Sequence, residues 1–161
     1  MATPTAQATI DIAAPADLVY DLVSSVTEVP RWAAEVVECR WLDGVDRPVV
    51  GARFRGVNRY RNRRWATTCV VTAADPGRRF GFDVKVAGVT TAAWWYDITP
   101  TPEGCRVTEA TRRVFPKLVV WLINRLGLGI ADRDAHNQRN IDATLAQLKR
   151  YAEAQAAERT A

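Results

Sequence analysis

The chain has 161 residues, of which 48% are hydrophobic and 25% are charged. This length is typical of one domain with its own core, and the composition excludes an intrinsically disordered chain. No apolar stretch approaches the roughly 20 residues that span a bilayer, and the first seven residues lack the basic and apolar regions of a signal peptide. We therefore expect a single cytoplasmic domain over residues 1–161, with a core at about 9–154 and no membrane span.

The cysteines, the histidine and the net charge limit the kinds of site that the chain can hold. Cys39, Cys69 and Cys105 lie far apart, and only His136 could join them around a metal. We therefore expect no zinc site and three reduced cysteines. No dinucleotide-binding, phosphate-loop or serine-hydrolase motif occurs, so we expect no cofactor. The net charge of +4 is mostly arginine and does not by itself establish an anionic partner.

The first third of the chain predicts a strand followed by two helices. Residues Thr9 to Ala13 alternate between apolar and polar side chains, which indicates a strand. Pro15 and Asp17 suit the first turn of a helix. Thr27 suits the N-cap of a second, short helix that ends near Ala34.

From Val36 onward the apolar period changes to two, which predicts six strands joined by short turns. Short turns favour antiparallel hairpins. A long C-terminal helix is predicted from just after Gly129 to about Glu153, because this stretch contains neither proline nor glycine. The element order β-α-α-β6-α predicts an α+β fold, in which one curved antiparallel sheet packs against the last helix.

Seven motifs follow in order along the chain: Ile10-Asp-Ile-Ala-Ala-Pro-Ala16, Pro30-Arg-Trp32, Gly51-Ala-Arg-Phe54, Asp75-Pro-Gly-Arg-Arg-Phe80, Trp95-Tyr-Asp-Ile-Thr-Pro100, Gly104-Cys-Arg-Val-Thr108 and Asp142-Ala-Thr-Leu-Ala-Gln-Leu-Lys149. In their order and spacing they resemble the START-like superfamily, also called SRPBCC or helix-grip proteins. The closest resemblance is to the bacterial polyketide cyclase/dehydrase branch. This resemblance implies a hydrophobic cavity between the sheet and the last helix, but it implies no single function.

Strand alternation predicts which side chains would line such a cavity. We expect the ligand contacts Phe54, Asn58, Trp65, Thr67, Phe82, Trp94 and Tyr96, in inward rows that also hold Gly56, Tyr60, Cys69, Val71, Phe80 and Ile98. Ordinary core packing is the alternative for each aromatic residue. On the last strand we place Val107, Glu109 and Thr111 inward, although a register through Ala110 and Arg112 stays open.

The long helix is expected to supply the other wall. At about 100° per residue, Ile141, Leu148 and Ala152 share one stripe with Leu145. The same stripe carries Asp134, Asn137 and Gln138 toward the N-terminus, and we predict that these polar groups orient a ligand. Hydration at the cavity mouth and pairing with arginines are the alternatives. His136 lies opposite Leu145, so we expect it to face solvent.

The predicted function is binding of a small, largely hydrophobic molecule that is polyketide-like, lipid-like or aromatic. No catalytic constellation stands out, so binding or transfer ranks slightly above cyclase, aromatase or dehydratase activity. For an enzyme, the candidate acids and bases are Glu109 and Asp134, because a carboxyl group buried in an apolar cavity has a raised pKa.

Two further segments leave alternatives open. Seven arginines occur from residue 47 to residue 64 with no acidic residue among them, and Arg53, Arg55 and Arg59 share the outer face of one strand. We favour a solvated face, with an RNA- or ribosome-associated module as the alternative function. The apolar run Leu118 to Ile123 is interpreted as a lid over the cavity, a homodimer contact or a membrane-surface contact.

Overall fold

The computed structural model describes residues 3–114 and 132–160. The described elements are, in chain order, β1 (Ala6–Ile12), α1 (Ala16–Ser24), a 3-10 turn (Val29–Arg31), β2 (Val36–Trp41), β3 (Arg53–Tyr60), β4 (Arg63–Asp75), β5 (Arg79–Val86), β6 (Val89–Thr101), β7 (Gly104–Arg113) and α2 (Arg133–Thr160). The predicted α+β class is confirmed, and the element order matches the prediction except that the second helix is a 3-10 turn.

Two predicted helix boundaries were wrong. The second helix, expected from Thr27 to Ala34, is only the 3-10 turn at Val29–Arg31. Pro30 has no N–H to continue a helical ladder, and its ring disfavours a helical residue before it. The last helix extends beyond Glu153 to Thr160, because its alanine-rich end contains only residues that tolerate a helix.

The seven strands form one antiparallel sheet in the order β1-β7-β6-β5-β4-β3-β2. Every strand pairs with its neighbour in sequence except β1, which closes against β7 with Ile10 opposite Val107. The register shifts in the β2–β3, β4–β5 and β5–β6 pairs. Such bulges bend strands and increase twist, so the sheet can curve around α2.

The tight turn between β6 and β7 depends on glycine. Gly104 has a φ of 148°, and a Cβ at this position would lie 2.2 Å from the carbonyl oxygen of Ile12. The backbone of this turn therefore packs directly against the end of β1. Any side chain at position 104 would push the two apart.

The apolar stripe of α2 packs in the core. Ile141, Leu145, Leu148 and Ala152 are at most 2% exposed, as predicted. Hydrogen bonds hold α2 alongside β1: Lys149 Nζ donates to the carbonyl of Asp11 at 2.6 Å, and the amide of Ala13 donates to Glu153 Oε1 at 2.9 Å. Neither described helix is long and apolar enough to cross a membrane.

Candidate ligand cavity

A cavity of about 480 Å³ lies between the concave face of the sheet and the first turns of α2. Ligand pockets in proteins usually measure about 300–1,000 Å³. The described lining comes from α1, the loop after it, strands β2 to β7 and α2: Val23, Val26, Val29, Trp32, Ala33, Glu35, Val36, Cys39, Phe54, Gly56, Asn58, Trp65, Thr67, Cys69, Phe80, Phe82, Val84, Val86, Ala87, Val89, Thr91, Ala92, Trp94, Tyr96, Glu109, Thr111, Arg113, Arg133, Asp134, Asn137, Asn140 and Thr144.

Aromatic rings form the apolar part of the wall. Phe54 packs edge-on against Phe82 with ring centroids 5.2 Å apart, and Phe80 lies 5.9 Å from Phe82. Trp32 packs edge-on against Tyr96 at 6.4 Å. Edge-to-face pairs fix the orientation of each ring, so the wall has a defined shape before any ligand enters.

Glu109 is the buried carboxyl group of the cavity. It is 3% exposed, and the hydroxyl of Tyr96 on the next strand donates to its Oε1 at 2.9 Å. Burial raises the pKa of Glu109 to about 8, against the opposing effect of the Tyr96 hydrogen bond. Burial also raises the pKa of Tyr96 well above its ordinary value. At neutral pH the carboxyl group is therefore mostly protonated.

The helix presents a polar stripe to the cavity. Arg133, Asn137, Asn140 and Thr144 recur every three or four residues on α2, and all four line the cavity. Thr144 Oγ1 accepts a hydrogen bond from the amide of Ala34 at 3.2 Å. The guanidinium of Arg133 lies over the ring of Trp65, 5.7 Å from its centroid.

Four lining side chains carry a buried polar atom without a hydrogen-bond partner among the described residues. These atoms are Trp32 Nε1, Glu109 Oε2, Arg133 Nη1 and Asn140 Oδ1. Unpaired buried polar atoms are rare, because each costs about 1–3 kcal/mol. Their convergence on one cavity is the property expected of a ligand site with a few placed polar groups.

The structure brings most of the predicted contacts together. Ten of the predicted site residues line the cavity: Phe54, Asn58, Trp65, Thr67, Phe82, Trp94, Tyr96, Glu109, Asp134 and Asn137. The inward register of β7 is correct, since Glu109 and Thr111 face the cavity and Val107 is fully buried. Asp134 is held in an ion pair with Arg113, which is one of the predicted alternatives for this stripe.

Two predicted helix contacts do not line the cavity. Ile141 is fully buried within the core. Gln138 lies beside β1, where its Nε2 donates to the carbonyl of Gln7 at 3.0 Å. Both were placed by an inward stripe centred on Leu145, whereas the stripe that faces the cavity is rotated from it by about a quarter of a turn.

The prediction that His136 faces solvent was wrong. His136 is only 4% exposed, and its Nε2 lies 2.6 Å from Glu35 Oε1 without the alignment of a hydrogen bond. Its ring packs edge-on against Tyr60, which belongs to the predicted inward row, at a centroid distance of 4.5 Å. The end of β3 and the segment before β2 therefore cover the side of α2 that the helical wheel left open.

Sequence reasoning missed several lining residues that carry polar groups, among them Trp32, Glu35, Arg133 and Asn140. For Arg133 and Asn140 a signal was present, because residues 133, 137, 140 and 144 are all polar at helical spacing. Trp32 and Glu35 lie between regular elements, where no period indicates which way a side chain points.

The two thiols that line the cavity are held in the neutral form. Cys39 and Cys69 line it as free cysteines, and burial raises the pKa of each thiol to about 12. Nucleophilic cysteines need the thiolate form near neutral pH. Within residues 3–114 and 132–160, no cluster of side chains has the composition of a metal site.

Another depression, of about 570 Å³, lies among the turns next to the C-terminal end of β1. Pro15, Pro76 and Pro102 line it, together with neighbouring turn residues. None of the buried polar atoms that lack a partner belongs to its described lining. The cavity against α2 is therefore the candidate functional site.

The arginine-rich outer face lies on the opposite side of the sheet. Arg53, Arg55 and Arg59 are exposed there, as predicted. Arg53 forms a two-pronged ion pair with Asp43, and Arg64 pairs with Glu38. Acidic partners thus neutralise part of the positive charge. The apolar run Leu118 to Ile123 lies outside the described residues.

The chain is similar to a known protein family and to solved structures. A family described as "Polyketide cyclase / dehydrase and lipid transport" matches residues 3–153. A search of curated proteins found no match. The polyketide cyclase-like protein Cgl2372 from Corynebacterium glutamicum is similar at 31% sequence identity, with a TM-score of 0.62 over 96% of this chain and 95% of that chain.

More distant structures share the fold alone. Protein CV1439 from Chromobacterium violaceum is 14% identical, with a TM-score of 0.67 over 91% of this chain and 96% of that chain. Protein NE0264 from Nitrosomonas europaea is 17% identical, with a TM-score of 0.65 over 94% of this chain and 95% of that chain. These comparisons give the RNA alternative no support.

Proposed function

Because the chain belongs to the polyketide cyclase / dehydrase and lipid transport family, we propose that it binds a small, largely hydrophobic molecule in the cavity between the sheet and α2. Family membership and fold confirm the predicted resemblance to the helix-grip superfamily. The proposed ligand is polyketide-like, lipid-like or aromatic. Binding or transport of this ligand ranks above its chemical conversion. The cytoplasmic location and the homodimer stay predictions.

One observation carries this proposal: a cavity of about 480 Å³ whose wall is mainly aromatic and aliphatic, with four unpaired polar atoms around it. Burying apolar ligand surface contributes about 25 cal/mol per Å². The fixed aromatic rings of Phe54, Phe82 and Tyr96 reduce the ordering that binding requires.

The test uses N-phenyl-1-naphthylamine, a neutral apolar dye whose fluorescence rises when it leaves water. We expect saturable binding of one dye per chain. Gly56→Leu should abolish it, because a side chain at position 56 would project into the cavity. The position accepts a side chain, since a Cβ there meets only Thr67 Oγ1, at 3.8 Å.

The matched control is Ala66→Leu on the adjacent strand. Ala66 is exposed and lies opposite Val57, one residue along from the Gly56–Thr67 pair, so its side chain points to the outer face. This variant should bind the dye like the wild type. Absence of saturable binding by the wild type, or an equal loss in both variants, would contradict the proposal.

A second candidate function is acid–base chemistry on the bound molecule, and Glu109 is the observation that favours it. Its Oε2 has no hydrogen-bond partner among the described residues, and its pKa of about 8 permits a proton to leave or return near neutral pH. Asp134 is a weaker candidate because Arg113 holds its carboxylate.

The test of this second function is the cyclisation of a synthetic poly-β-ketone ester, followed by absorbance of the aromatic product. Glu109→Gln keeps the Tyr96 contact but cannot transfer a proton, so it should lower the rate by about 100-fold or more while dye binding persists. Asp134→Asn should keep most of the rate. If Glu109→Gln retains the full rate, Glu109 has no acid–base role.

A further inference from the structure

Arg133 is the cationic group of the cavity that has no ion-pair partner among the described residues. Its side chain is half-buried, its Nη1 is fully buried, and that atom has no hydrogen-bond partner among the described residues. Burial lowers the pKa of the guanidinium, although Glu35 opposes this change electrostatically. The group still carries its charge at neutral pH, because arginine is effectively always protonated in proteins.

The acids near Arg133 also lie beside other basic groups. Glu35 Oε1 lies 2.6 Å from Nε2 of His136, and Asp134 accepts a hydrogen bond from Arg113. Within residues 3–114 and 132–160, no carboxylate forms an ion pair with Arg133. A buried cation without a paired anion is costly, because the lost hydration of its charge is not compensated.

The surroundings of Arg133 suit an anionic group at the end of an apolar ligand. The Trp65 ring lies beside the guanidinium, and the aromatic wall of Phe54 and Phe82 continues from it. Asn137 and Asn140 follow one and two turns along the helix. Their amide groups can turn an N–H toward an anion, since the amide oxygen and nitrogen are interchangeable by rotation.

We propose that the cavity selects an amphiphilic acid: an apolar body packs against the aromatic wall, and one carboxylate or phosphate group binds Arg133. This inference rests on the proposed function and adds the chemical class of the ligand. The buried carboxyl group of Glu109 does not oppose such a ligand, because it is mostly protonated at neutral pH.

The experiment compares three probes that share one bicyclic body: 2-naphthoate, its neutral isostere 2-naphthamide, and 2-naphthyl phosphate. Each is titrated by displacement of N-phenyl-1-naphthylamine from the wild type, Arg133→Gln and Arg133→Lys. One anion should bind the wild type about tenfold or more tightly than naphthamide, because a hydrogen bond to a charged group contributes about 1.5–3 kcal/mol. The tighter anion identifies the group.

Arg133→Gln should remove this preference and leave naphthamide affinity within about twofold, whereas Arg133→Lys should keep part of the preference. The matched control is Arg139→Gln, an exposed arginine on the same helix, which should change nothing. Thermal melts establish that each variant is folded. If a variant does not fold, the wild-type preference alone decides.

Equal affinity of the wild type for naphthoate, naphthyl phosphate and naphthamide overturns the inference and leaves the proposed function intact. The same conclusion follows if Arg133→Gln weakens all three probes alike. If the dye and all three probes fail to bind the wild type, the proposed function itself is wrong.

Discussion

The two faces of the sheet differ in the exposure and the pairing of their polar side chains. On the convex face, charged groups are exposed and paired with each other, as in Arg79 with Asp97 and Arg106 with Asp11. On the concave face, polar groups are half-buried or buried, as in Asn58, Thr67 and Glu109. Glu109 Oε2 has no hydrogen-bond partner among the described residues, and the same holds for the buried atoms Arg133 Nη1 and Asn140 Oδ1 of the facing helix.

This difference indicates which face has polar groups that a ligand could pair with. Exposed ion pairs contribute at most about 1 kcal/mol, because water already solvates both charges. A buried polar atom without a partner costs about 1–3 kcal/mol, and a ligand group that pairs with the atom recovers that cost. The concave face therefore has more to gain from a ligand than the convex face has. The predictions that follow test this contrast.

The largest expected difference between the faces is in stability. Phe80 is 1% exposed on the concave face, and Phe80→Ala should lower the free energy of unfolding by about 3–5 kcal/mol, since it leaves a cavity in the core. The neighbouring Arg79→Ala on the convex face should lower it by about 1 kcal/mol or less. Urea denaturation measures both, and equal losses would contradict the contrast.

The next effect is a pH dependence of opposite sign on the two faces. For Glu109, folding raises the pKa from its ordinary value of 4.5 to about 8. The resulting stabilisation is fully present below pH 4.5 and is lost as the pH rises toward 8. Glu109→Gln removes this loss. Its stability relative to the wild type should therefore rise by about 3 kcal/mol between pH 4 and pH 7.

Asp11 provides the convex-face control for that titration. The hydrogen bond from Arg106 lowers the pKa of Asp11, so its contribution is present above the ordinary pKa and is lost as the pH falls. Asp11→Asn should therefore lose stability relative to the wild type as the pH rises from acid, by a small amount. Urea denaturation from about pH 2 to pH 8 follows both variants, because the Asp11 effect falls below its ordinary pKa of 3.8. A constant difference between Glu109→Gln and the wild type would refute the raised pKa.

The strands of this fold were predictable because burial imposes a period of two on their sequences. The register of β7 was the uncertain case, since Ala110 is as deeply buried as Val107 and Thr111 although it points the other way. Residues on both faces of β7 are therefore buried, although only one face lines the cavity. Under these conditions hydrophobicity alone cannot distinguish the two faces.

The helix face toward the cavity was not predictable from its apolar stripe. Leu145 and Leu148 identify the side of the helix that packs in the core. The side that lines the cavity does not have to be apolar. Arg133 and Asn140 therefore went unnoticed, whereas Gln138 was placed inward by its position above the apolar stripe. The burial of His136 depends on Tyr60, which is remote in sequence, and no local pattern carries that information.

The smallest expected effect is the coupling between Arg79 and Asp97, whose side chains are 42% and 43% exposed. A double-mutant cycle with Arg79→Gln and Asp97→Asn should give about 0.2–1 kcal/mol at low salt. The coupling should decrease further as salt is added, because ions screen exposed charges. A coupling above about 2 kcal/mol that does not respond to salt would show that the convex face also holds strong polar interactions. The two faces would then have polar interactions of similar strength. Only the ligand-binding experiments could then show that the concave face is the functional one.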